Sequence, residues 1–249
     1  MLFASGTALA QQSNTSSQPT VTGQVVANGA LVGIQRFATH GTFTYTPDAG
    51  TNTVLIKLLG AGASGNGCST PAGGSANIGQ TGGGGAYLEK LLTTNFSGKQ
   101  IVVGQGGAAS SIGDSPGNSG GDTTFDAAGG NYRAGGGVAG TGMNSAAYGW
   151  QVLGQAAAGT AINGDLNEAG QIGGPNTSFA GLPTASSVGA NSRYGQGGIA
   201  EVIGGTISLP GAAGIGNGSG SSGGLCLSSG PDEPSAAGTD GYAEIDEYH

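Results

Sequence analysis

The sequence predicts a mostly β protein: a small antiparallel β-structure carrying a glycine-rich insertion of packed polyglycine II helices and loops, with almost no α-helix. Three observations lead there. Glycine supplies 56 of the 249 residues, while charged residues make up 8% and aromatics 6%. Such a chain cannot hide a large side-chain core, and glycine loses the most backbone freedom on folding, so order must come from backbone hydrogen bonding and close chain approach. Strongly apolar runs with alternating patterns nevertheless bracket the glycine, at Thr53–Leu59, Ile101–Val103 and Gly241–Tyr248. Finally, glycines recur three apart, as in Gly79, Gly82, Gly85 and again in Gly220, Gly223. That period matches the left-handed polyproline II conformation, which has about three residues per turn and no internal hydrogen bonds.

In chain order, residues 1–35 are polar, rich in Ser, Thr, Gln and Asn, and read as a connecting arm. The opening "MLFASGTALAQQ" lacks a basic n-region and its apolar stretch is broken, which argues against an export signal. Residues 36–249 form the domain. Phe43 and Tyr45 alternate with threonines, Pro47–Gly50 turns, and Val54, Ile56 and Leu58 alternate with Leu55, Lys57 and Leu59: strand, turn, strand. "GAYLEKLLT" from Gly85, a turn at Asn95–Lys99 and "QIVVGQGG" from Gln100 give a second pair. In the closing strand "GYAEIDEY", Ala243 and Ile245 face inward while Glu244 and Asp246 face water, at the period of a half-buried strand. Collagen is excluded by short glycine runs and by only nine prolines.

Charge and motif searches exclude several function classes. The net charge is −8, and the six cations are scattered, so there is no basic patch to neutralise phosphates and no nucleic-acid partner is expected. No run reaches the roughly 18 apolar residues of a membrane span. Gly104-x-Gly106 follows a strand, but "SSIGDSPG" precludes the helix a dinucleotide site needs. Gly98-Lys99 lacks the flanking residues of a phosphate loop. His40 and His249 stand outside any triad context. Asp114, Asp122, Asp126, Asp165 and Glu168 read as turn and loop supports more than as a glycan-cleaving pair. No catalytic residue, metal site or cofactor is expected. Cys68 and Cys226, both in glycine-rich stretches, are either one bridge, if those stretches meet, or two free thiols.

Binding is better supported. Aromatic and apolar residues form islands between glycines, and Tyr132, Arg133, Tyr148, Trp150, Phe179, Arg193 and Tyr194 have the chemistry of recognition anchors on loops. The alternative for Trp150 and some tyrosines is a small satellite core.

The ordered pieces "GTFTYTPDAGTNTVLIKLLGAGASG", "GGGGAYLEKLLT", "GKQIVVGQGG", "GGDTTF", "NGDLNEAGQIGGP", "SRYGQGG" and "GTDGYAEIDEY" resemble the glycine-rich C-terminal receptor-binding domain of bacteriophage and tailocin tail fibres. The resemblance spans roughly 37–248. It implies a virion tail-fibre tip that adheres through distal loops to a host outer-membrane protein or surface polysaccharide, with the arm joining a shaft or adaptor. The glycine runs are more diluted here than in the richest members, and no trimeric shaft repeat is visible, so monomer and homotrimer both stay open. A fibre-borne depolymerase and a purely structural glycine-rich protein are the competing classes.

Overall fold

The computed structural model describes residues 29–72, 75–126, 132–147, 151–153, 155–179, 184–202 and 207–249. Among them there is no helix, and every strand pairing is antiparallel. Two five-stranded sheets form a base. One has the order Leu31–Phe37, Tyr242–Tyr248, Thr53–Leu59, Tyr87–Leu92, Leu166–Glu168; the other runs Ala161–Ile162, Tyr132–Ala134, Thr123–Phe125, Gln100–Val103, Gly41–Thr44. Period-two patterning sends Val54, Ile56, Leu58, Ala243 and Ile245 from the first sheet against Ile101, Val103 and Phe125 from the second, with Tyr45 closing the core.

The domain starts earlier than sequence suggests. Residues 31–35, assigned to the arm, belong to a strand that pairs with the C-terminal strand from Leu31↔Tyr248 to Phe37↔Ala243. A register shift between Leu31 and Gly33 breaks the alternation there and hides the strand. Glu244 and Asp246 also differ from expectation. Lys57 bonds both, at 2.9 and 2.7 Å, so Asp246 is only 6% exposed instead of facing water.

From the base, glycine-rich segments run out to distal strands and return. Segment 60–67 lies at their centre and is wholly buried. Its N–H groups show a three-residue rotation. Gly60, Ala63 and Asn66 donate to the carbonyls of Ala86, Gly83 and Gln80; Ala61, Ser64 and Gly67 donate to those of Gly121, Asn118 and Ser115. Gly62 and Cys68 donate to Thr239 and Glu233, and Gly65 completes that row through the Ser221 hydroxyl, which donates to the Ala236 carbonyl. Each partner row descends by three, so the neighbours run antiparallel. On three further sides, the carbonyls of Ala61, Gly62 and Ala63 accept from Gly137, Gly107 and Ser221. One segment thus has six neighbours, as expected of a helix with about three residues per turn whose N–H and C=O groups all point outward.

The row Gly79, Gly82, Gly85 works in the same way, donating to Gly224, Ser221 and Gly218. Close approach is what requires glycine. A Cβ on Gly62 would overlap the Ser219 carbonyl, and one on Gly85 would overlap that of Gly60. With no hydrogen bonds inside a segment, each buried N–H depends on its neighbour, and losing one costs about 1–3 kcal/mol.

Candidate functional site

At the far end of the lattice the chain makes two smaller sheets. One orders Leu225–Leu227, Ser75–Gly79 and Met143–Ala147; the other orders Gln151–Leu153, Asn176–Phe179, Thr184–Val188 and Ile199–Val202. Ile78, Ala200, Leu225 and Leu227 share a small core beneath them. Buried Asn176 donates to the Gly79 carbonyl at 3.0 Å, and the Ser187 hydroxyl accepts from Gly223 N–H at 2.9 Å, so the second sheet is seated on the lattice. Cys68, at the tip of the central segment, forms a disulfide with Cys226.

The predicted anchors divide between the two ends. Phe179 ends a distal strand, while Tyr148 and Trp150 lie outside the described residues. The other four are in the base and not on distal loops. Tyr132 and Arg133 belong to the strand Tyr132–Ala134; Tyr132 packs against the core, and the Arg133 Nη1 bonds Asp122 at 2.8 Å. Asp122 also accepts from Gly136 N–H at 3.0 Å, so this pair ties the sheet to the lattice. Arg193 lies 4.1 Å above the Tyr87 ring and bonds both Glu168 oxygens, at 2.9 and 2.8 Å. Tyr194 stands edge-on between Tyr87 and Tyr242, with centroids at 5.8 and 5.4 Å. Glycines on either side made these residues look like loop residues in sequence, and only the fold shows that the chain returns to the base at 192–196.

Charge is segregated in the same way. All six cations lie in the base, each paired with a carboxylate: Arg36 with Glu244, Lys57 with Glu244 and Asp246, Lys90 with Asp165, Lys99 with Asp126, Arg133 with Asp122, Arg193 with Glu168. Hydrogen bonds from Lys57, Arg36 and Tyr242 outweigh the burial that opposes ionisation and hold Glu244 down at about 2. Burial first, then Glu244, pushes the Tyr242 phenol up to about 12. The distal end keeps Asp114, Glu201, Asp232 and Glu233 and has no Lys or Arg. Four of the five carboxylates weighed above as a glycan-cleaving pair are each tied to a different cation, and among the described residues no cluster of three or more His, Cys, Asp or Glu could hold a metal.

The apolar residues exposed at the distal end include isoleucines, which are not among the expected anchors. Ile112, Ile199 and Ile207 are 59%, 51% and 68% exposed around the distal end. Exposed β-branched residues in otherwise small, polar surroundings were the available signal.

A glycine-rich domain model matches residues 38–247, nearly the whole described domain. The chain belongs to this glycine-rich domain family. Among curated proteins no sequence matches it. Membership in the glycine-rich domain family agrees with a fold whose middle is built from backbone contacts.

Proposed function

We propose that this glycine-rich domain is the receptor-binding tip of a phage or tailocin tail fibre, adhering to a bacterial surface through its distal end without turnover. The observation that carries the reading is the six-neighbour backbone lattice, which joins a strongly anchored base to a separate set of distal strands. A scaffold held by main-chain bonds leaves distal side chains free to vary, which suits recognition. The charge segregation refines the partner. A distal surface with four carboxylates and no cation disfavours a phosphorylated or uronic-acid-rich polysaccharide and favours an outer-membrane protein or an uncharged glycan. The base, where the arm enters, would join the shaft or adaptor.

The test is binding of the fluorescently labelled chain to a panel of Gram-negative strains, with and without protease treatment of the cells. Strain-selective binding lost on proteolysis is the expected result. Selective binding that survives proteolysis points to a glycan, and release of reducing ends from the cell surface would replace adhesion with depolymerisation. Absence of binding across the panel would overturn the reading.

A further inference from the structure

We propose that the Cys68–Cys226 bridge is a redox-timed lock on the distal platform, closing after the chain leaves a reducing compartment. Position supports this first. Cys68 directly follows the central segment 60–67, whose other end continues into the base strand Thr53–Leu59. Cys226 is the middle residue of the distal strand Leu225–Leu227, opposite Asn77. The bridge therefore fastens a distal strand to the central rod, which has neighbours on six sides. The 158 residues of sequence separation contain every other strand of the two distal sheets. Closing so long a loop removes much conformational freedom from the opened platform.

The need for a lock follows from the apolar content. The distal core consists of Ile78, Ala200, Leu225 and Leu227, with Ala76 and Leu209 beside it. Units with so little apolar burial are commonly held by disulfides. Both cysteines are 0% exposed, so neither oxidant nor reductant reaches sulfur unless Leu225–Leu227 lifts away. Local opening of the platform thus gates the chemistry in both directions, and a closed bridge suppresses the opening that would allow its reduction.

The oxidation is ordinary thiol–disulfide exchange. One cysteine thiolate attacks a sulfur of a low-molecular-weight disulfide such as oxidised glutathione and expels one thiolate. The second cysteine thiolate attacks the protein sulfur of that mixed disulfide and expels the other. The protein loses two protons and two electrons, and the reagent becomes two thiols. The inference rests on the tail-fibre reading for one point, that the chain first folds in the reducing bacterial cytosol.

The full chain, isolated from a reducing cytoplasm with thiols alkylated at lysis, should carry two alkyl groups by mass. A second sample, isolated without alkylation and treated with oxidised glutathione, should carry none after denaturing alkylation. Hydrogen exchange in 75–79 and 225–227 should then slow by at least about tenfold, with exchange in 53–59 and 242–248 unchanged. The Cys68→Ser/Cys226→Ser chain should keep the faster distal exchange whatever the oxidant. Exchange in the base reports whether that variant folds, and the reduced natural chain gives the same comparison without mutation. A bridge already complete at lysis, or equal distal exchange in both redox states, would overturn the proposal. The readout needs no receptor, so this outcome is independent of whether the chain adheres to cells.

Discussion

The base packs Tyr45, Phe125, Ile56 and Leu58 fully buried between two five-stranded sheets and pairs every cation of the chain, whereas the distal platform has a four-residue core, a disulfide and no cation. What separates the two ends is how order reaches them. The base is stabilised locally, by apolar burial and ion pairs on its outer face. The platform is positioned from a distance, through rods joined mainly by bonds from the N–H of one to the carbonyl of the next. Side chains enter mainly where buried, as at Ser221, Asn176 and Ser187, so exposed distal residues can change while the scaffold persists.

The comparison breaks most visibly if the rods themselves are disturbed. Gly62 is surrounded by main chain: an added Cβ would meet the Ser219 carbonyl and, at 2.8 Å, the Gly220 nitrogen. Neither can rotate away. Gly62→Ala should cost more than about 3 kcal/mol and yield little folded protein. Gly98→Ala is the control. Gly98 lies in a base turn at φ +69° with no atom within 4 Å of an added Cβ, so its cost is the left-handed backbone alone, about 1–2 kcal/mol. Thermal unfolding of both variants decides the matter. A Gly62→Ala protein melting beside the Gly98→Ala protein would mean that the rods do not interlock as described.

A smaller effect separates the two ends by pH. Glu244 is 14% exposed and is bonded by Lys57, Arg36 and the Tyr242 hydroxyl, which depress its pKa from 4.5 to about 2. A depressed carboxyl stabilises the fold fully above the unfolded value of 4.5 and loses that contribution as pH falls through about 2. The loss is on the order of 2–3 kcal/mol. On acidification, hydrogen exchange in 242–248 should accelerate before that in 225–227. Glu244→Gln should remove most of the dependence, and a distal strand that opened first would place the acid-sensitive element elsewhere.

How much of this could be read from sequence follows the same division. The base strands Thr53–Leu59 and Tyr242–Tyr248 were legible because alternation at period two is a side-chain signal. The series Gly79, Gly82, Gly85 was legible because a three-residue period on one neighbour demands glycine at each close approach. Which rod neighbours which was not legible. Gly62, Gly107 and Gly238 are identical in sequence terms, and only the assembled lattice shows that Gly107 donates to Gly62 and Gly238 to Gly107. Where Arg193 and Tyr194 lie was not legible for the same reason. Arg193 and Tyr194 sit among glycines just as the distal islands do, and their partners Glu168, Tyr87 and Tyr242 come from three separate strands.

The smallest effect sharpens the comparison directly. Tyr194 is 40% exposed and held by two edge-on tyrosines, a geometry worth about 1 kcal/mol beyond burial. Tyr194→Ala should therefore lower stability by roughly that amount while leaving attachment to a susceptible strain unchanged, because it removes a contact in the base. Ile207→Ala should do the reverse, weakening attachment at least about tenfold with little change in melting temperature, because Ile207 is a 68% exposed apolar residue of the distal end. Measuring both quantities on both variants tests the split without knowledge of the receptor. If Tyr194→Ala weakens attachment as strongly as Ile207→Ala, the base face carrying Arg193, Tyr194 and Tyr242 is itself a contact surface, and recognition is not confined to the distal end.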